Sequence, residues 1–138
     1  MRIELVAYTP DVEVMVAVSM LTTTSGAQPC TLHERLRANP GRAEEVVGRL
    51  EVQHGNVLEH NRLVWLVEAT RDEVLNVMLD TRFLSFTGLG GDRWIMSGNL
   101  RAVAEYAEQR DTEFIRRLVD SIRDVAPNIH AFIRRRTG

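Results

Sequence analysis

Signals for starting helices cut the chain into short segments, and this punctuation constrains the fold more than any other feature. Thr9-Pro10-Asp11 reads as a helix start, with Thr9 as N-cap and Pro10 at the first helical position. Asn39-Pro40 repeats the pattern. Thr70-Arg71-Asp72-Glu73 has capping-box spacing, a threonine at the N-cap and a glutamate three residues on. Two runs of strand character lie just ahead of the first and the last of these starts. In Arg2–Tyr8, Ile3, Leu5 and Ala7 alternate with Arg2, Glu4 and Val6, and residues 62–69 form the second run. Strands and helices therefore interleave in short pieces, with too few strand–helix–strand units for a doubly wound sheet. The expected fold class is α+β, a small mixed or antiparallel sheet packed with helices, in one domain spanning residues 1–138.

The remaining segments fit this scheme. A helix is expected over residues 12–21, and the polar stretch 22–33, broken by Gly26 and Pro29, reads as loop. From Pro40 a helix carries Val46, Val47 and Leu50 at helical spacing, with Gly55 placed to end it. The helix opened by Thr70 is expected to reach Met78. A strand, a glycine-rich turn and a short run at residues 93–96 follow. From Gly98-Asn99 to about Val125 the chain reads as helical, and Phe114, Ile115, Leu118, Val119, Ile122 and Val125 form one apolar stripe. Pro127 is expected to close that region. Residues 134–138, with Arg134, Arg135 and Arg136, read as a frayed basic tail.

A formal net charge of −2 gives no general attraction for a nucleic-acid polymer or an anionic membrane. Cys30 is the only cysteine, so no internal disulfide forms and a reducing cytoplasm is the natural compartment. Neither a signal peptide nor a membrane span is written into the sequence. A soluble cytoplasmic protein is expected.

Residues 79–94, LDTRFLSFTGLGGDRW, hold the densest chemistry. Arg82 and Arg93 flank Ser85 and the glycines at 88, 90 and 91, and Arg101 and Arg110 follow on the next helical region. Arginine grips phosphate bidentately at any relevant pH, and glycines let backbone N–H groups approach an anion. Each arginine taken alone reads first as a surface ion-pair partner, given the acidic neighbours Asp80, Asp92, Glu105, Glu108 and Asp111. No P-loop, dinucleotide fingerprint or nucleophile elbow is present. His54, Glu59 and His60 lack the spacing of a helical zinc motif, so no metal is expected. They read as a helix end followed by a buried Glu59–His60 polar pair.

In order, these pieces resemble the flavin-dependent thymidylate synthases, over roughly residues 1–130. The resemblance rests on His54…Glu59-His60, then Arg82-x-x-Ser85, then Arg93-Trp94, then Gly98-Asn99-Leu100-Arg101 with Arg110 further along. It implies a homotetramer that binds FAD between subunits and converts dUMP to dTMP with methylenetetrahydrofolate and NAD(P)H. It assigns His54, Arg82, Asn99 and Arg101 to flavin, and Arg93 to the nucleotide phosphate. Arg110 would orient and polarise the uracil, the nearest thing to a catalytic residue. The chain departs from the family pattern by Asp80-Thr81-Arg82 in place of Arg-His-Arg, by Gly91 in place of a serine, by Trp94 in place of a tyrosine, and by lacking a histidine after Arg110. It is also shorter than typical members. The alternative is a divergent homologue that keeps the fold but binds another nucleotide or serves as a binding or regulatory subunit.

Overall fold

The computed structural model describes residues 1–22 and 24–137, and of residues 52–54 the backbone alone. The elements run β1 (Arg2–Tyr8), α1 (Val12–Thr22), α2 (Pro29–Ala38), α3 (Pro40–Val47), a 3₁₀ segment (Val52–Leu58), β2 (Leu63–Glu68), α4 (Arg71–Asp80), β3 (Ser85–Gly90), β4 (Arg93–Gly98), α5 (Leu100–Gln109), α6 (Glu113–Ser121) and α7 (Pro127–Thr137). The strands form one sheet in the order β1-β2-β4-β3, and all three pairings are antiparallel. The α+β class expected from the sequence is the class observed.

Strand alternation decides which face is covered. Leu63, Trp65 and Val67 of β2 are buried, while Leu66 between them is 42% exposed. Leu5, Trp65, Met96 and Phe86 line up across the four strands on the covered face. Trp65 ties the helical layer to the sheet, because its Nε1 donates to Ser121 Oγ at the end of α6 at 2.8 Å. Ser121 Oγ in turn donates to the Leu118 carbonyl. Phe114, Ile115, Leu118, Val119 and Ile122 are all buried, so the apolar stripe on α6 is the core face of that helix. The opposite face of the sheet carries Glu4, Leu66, Ile95 and Thr87 in one row.

Several expected boundaries move, each for a physical reason. Thr9 does not cap α1: its hydroxyl accepts the Arg62 N–H at 2.8 Å and so joins β1 to the start of β2. The turn at residues 10–11 is made by Asp11 at φ 51°, and the helix starts at Val12. Residues 29–33, expected as the end of a loop, instead open α2, with Pro29 at its first position. Asn39 caps α3 as expected, its Oδ1 accepting from Arg42 N at 3.3 Å. That helix ends at Gly48 rather than Gly55. The Thr70–Glu73 capping box is present with both hydrogen bonds, and α4 runs two residues past Met78. The expected long helix from residue 98 is two helices, α5 and α6, broken where Thr112 accepts from Ile115 N to cap α6. Pro127 opens α7 instead of closing the region before it. The α7 N-terminus is held by Glu13 of α1, whose carboxylate accepts from Asn128 N at 2.6 Å, Asn128 Nδ2 at 2.7 Å and Ile129 N at 2.9 Å. Arg134, Arg135 and Arg136 are the last turn of α7, not a frayed tail. Gly138 lies outside the described residues.

Candidate functional site

The site starts where α4 stops. Thr81 turns extended after Asp80, and its hydroxyl accepts the Phe83 N–H at 3.3 Å. This bend turns Arg82 and Phe83 outward, and Phe83 is 55% exposed. The Arg82 guanidinium stands over the Phe83 ring, 5.2 Å from its centroid, a cation–π contact. Leu84 turns inward against the beginning of α5. There Gly98 is required by space, since a Cβ at that position would lie 2.7 Å from Leu84 Cδ2 and 3.3 Å from the Phe83 carbonyl.

Asn99 caps α5, its Oδ1 accepting from Ala102 N at 2.9 Å, and Asn61 Oδ1 takes the Leu100 N–H at 2.8 Å. Two residues past the cap, Arg101 is bracketed by carboxylates. Its Nε donates to Glu105 at 2.8 Å and its Nη1 donates to Glu59. The Glu105 hydrogen bond first, then the Glu59 one, hold the guanidinium pKa above its ordinary value. Arg101 also packs beside Gly55, where a Cβ would lie 3.5 Å from Nε. The expected Glu59–His60 pair is therefore corrected: both residues are exposed, and Glu59 serves Arg101. The His54 side chain lies outside the described residues, although its neighbour Gly55 borders Arg101.

Arg110 sits at the end of α5 and pairs with Asp80 at 3.1 Å. Tyr106, one helical turn earlier and buried, also reaches Asp80, with its hydroxyl 3.3 Å from Oδ2. Burial foremost, then the Asp80 charge, raises the Tyr106 phenol to about 12. Tyr106 is thus a neutral donor at physiological pH.

Two shallow hollows record how these groups gather. One of about 160 Å³ is lined by Glu59, Phe83, Asn99, Arg101, Ala102 and Glu105. The other, about 290 Å³, has Asp80, Arg82, Phe83 and Glu105 on its walls. Phe83 and Glu105 are common to both, so Arg82, Asn99 and Arg101 share one surface, and Arg110 reaches it through Asp80. Arg93 lies elsewhere. It opens β4 opposite Glu68 and lines a separate hollow with Thr70, Glu73 and Asp92. Asn99 follows β4 at its other end, ~17 Å away at the rise of an extended strand. Gly90 and Gly91, at φ 94° and 61°, make the turn between β3 and β4. Trp94 faces the helices over Gly88 and donates to the Ala69 carbonyl at 3.0 Å. Ser85 stands opposite Ser97, whose hydroxyl accepts from Arg62. Among the described residues, no group of three His, Cys, Asp or Glu is placed to hold a metal ion, and no helix is long and apolar enough to cross a membrane.

Phe83 and Tyr106 were not among the residues singled out from the sequence. Phe83 adjoins Arg82, and Tyr106 precedes Arg110 by four positions on one helix face, so both carried a local signal.

No family model matches the sequence, and no curated protein does. Solved structures do match. The flavin-dependent thymidylate synthase ThyX from Helicobacter pylori, complexed with FAD and dUMP, superposes with a TM-score of 0.62 at 11% identity. That match covers 96% of this chain and 97% of that one. The UMP/dUMP methylase PolB from Streptomyces cacaoi, bound with 5-Br dUMP, gives a TM-score of 0.66 at 13% identity, covering 94% of this chain and 92% of that one. Little of either neighbour lies outside the shared architecture, and the chain has the ThyX-like fold.

Proposed function

We propose that the chain binds FAD and a pyrimidine nucleotide resembling dUMP, and transfers a methyl group and a hydride to it as in the conversion of dUMP to dTMP. Methylenetetrahydrofolate would supply the carbon and NAD(P)H the reducing equivalents. The observation that carries this reading is the near-complete fold match to enzymes solved with dUMP and 5-Br dUMP, combined with a surface on which Arg82, Asn99, Arg101 and Phe83 converge.

The residues fit a flavin in part. Arg82 has no carboxylate partner among the described residues and offers its guanidinium to a phosphate oxygen. The exposed face of Phe83 offers stacking area. Arg101 is already served by Glu59 and Glu105 and would contribute orientation rather than net charge. Flavin supplies hydride chemistry when bound, while the protein supplies binding, orientation and electrostatics. Arg93 would grip the nucleotide phosphate, and Arg110 would donate to the uracil. Hollows of about 160 and 290 Å³ are smaller than the ~300–1,000 Å³ usual for sites of drug size. A dinucleotide therefore needs walls from other copies of the chain, which is our reason for proposing the homotetramer.

The Asp80–Arg110 pair favours a second reading, a divergent homologue that binds another nucleotide or acts as a binding subunit. Asp80 occupies the guanidinium that would otherwise face the pyrimidine. The deciding test is the ultraviolet–visible spectrum of purified protein with and without added FAD, followed by dUMP-dependent reoxidation of the reduced flavin. A protein-perturbed flavin spectrum with dTMP as product is expected. A colourless protein that leaves FAD unshifted would overturn the flavin reading, and dTMP formation by the unmodified chain would overturn the divergent one.

A further inference from the structure

A cavity of about 660 Å³, larger than either hollow at the candidate flavin surface, opens between the end of α5, α6 and the last turn of α7. Four arginines reach it from three chain segments: Arg110 after α5, Arg116 on α6, and Arg134 and Arg136 on α7. Its floor is apolar, with Ala107, Ile115 and Val119 all buried. Glu108 holds Arg136 at 2.7 Å and Asp111 holds Arg116 at 2.6 Å. Arg110 is answered from outside the cavity by Asp80, and Arg134 has no carboxylate partner among the described residues. Among the described residues, four guanidinium groups against two lining carboxylates leave the walls positively charged even after Asp80 is counted.

Like charges gathered around one concavity repel, and an anion inside it relieves that repulsion. We infer that this cleft binds a small organic phosphomonoester. Its head group would be gripped by Arg134 with Arg116 and Arg136, and its apolar or ring-bearing body would lie on Ala107, Ile115 and Val119. A guanidinium has five N–H donors, so Arg116 and Arg136 serve a phosphate without releasing their carboxylates. A phosphomonoester carries about −1.5 to −2 at neutral pH, enough to offset the excess the walls present. A triphosphate brings more negative charge than Glu108 and Asp111 leave room for. The volume falls within the ~300–1,000 Å³ of small-molecule sites. Arg110 is shared with the surface proposed for dUMP, but Arg116, Arg134 and Arg136, which would grip the head group, are not part of it, so the head-group site does not depend on that reading.

Isothermal titration of the full chain with phenyl phosphate, inorganic phosphate and phenol tests this, whatever flavin the protein carries. Saturable binding of phenyl phosphate is expected, about tenfold tighter than inorganic phosphate because the ring adds apolar contact, with no binding of phenol. Arg134→Ala should weaken phenyl phosphate by about tenfold or more through loss of the bidentate grip, Arg116→Ala should also weaken it, and Arg2→Ala, at an exposed arginine of β1 outside both surfaces, should leave it unchanged. Arg134 is exposed and has no ion-pair partner among the described residues, so its variant should keep the wild-type circular dichroism spectrum. Loss of binding in Arg93→Ala with Arg134→Ala unaffected would assign the anion to the proposed nucleotide surface and overturn the inference. So would the absence of saturable binding, or equal affinity for the two phosphates.

Discussion

Asp80 is where a single residue rearranges its surroundings. It accepts from Tyr106 and pairs with Arg110, joining the end of α4 to the end of α5. The phenol held at about 12 gives this contact a pH signature. Between roughly pH 10 and 12 an unfolded chain sheds the Tyr106 proton at its ordinary pKa near 10 while the folded chain keeps it. The unfolded state then binds fewer protons, so Tyr106 makes stability fall as pH rises through that window and adds no slope below it. Tyr106→Phe should flatten this part of the profile in urea melts taken at successive pH values. An unchanged slope would mean that Asp80 and burial do not hold the proton. At the same scale, Asp80→Asn keeps the shape but removes the charge from Arg110. On the flavoenzyme reading it should tighten dUMP binding up to about fivefold, the range of a partly exposed ion pair, measurable by equilibrium dialysis.

Among the elements, α7 depends most on a contact from far away in sequence. Three donors at its first turn converge on the Glu13 carboxylate of α1. Glu13→Ala leaves those groups to water and should cost about 1.5–3 kcal/mol in chemical denaturation, the range for hydrogen bonds to a charged group. A loss below about 0.5 kcal/mol, the level of an ordinary surface substitution, would mean that solvent replaces the cap freely. The same contrast explains what could be read from the chain in advance. Asn39 and the Thr70–Glu73 box were legible because a cap and its donor lie three residues apart. Thr9 was misread because its partner, Arg62, is 53 positions away. Pro127 was misread because proline both ends one helix and begins another, and only Glu13 reveals which occurs here. Likewise the sequence offered Glu105 to Arg101 at helical spacing, whereas Glu59 and the Asp80–Arg110 pair come from separate segments.

For the molecule as a whole, the outer face of α4 is the surface that most needs a neighbour. Leu75, Met78 and Leu79, three and four positions apart, are 46%, 51% and 84% exposed, and Phe83 extends the patch. Met78, Leu79 and Phe83 also border the 290 Å³ hollow. A second copy covering this patch would bury apolar area and complete the ligand walls in one step. On the proposal of a flavin-binding tetramer, Leu79→Glu should convert the assembly to smaller species in sedimentation velocity and weaken FAD binding in parallel, with an unchanged circular dichroism spectrum. A wild-type chain that sediments as a monomer would remove the basis for the tetramer.

The span of β4 has one more consequence. Arg93 begins that strand, and Asn99 and Arg101 follow its other end, so within one chain the two proposed ligand grips point to different places. On the flavoenzyme reading, a nucleotide and a flavin close enough to react would draw these grips from different chains. Mass action governs such a shared site: specific activity would fall on dilution, and a mixture of two separately inactivated variants, Arg93→Ala and Arg82→Ala, would regain activity that neither has alone.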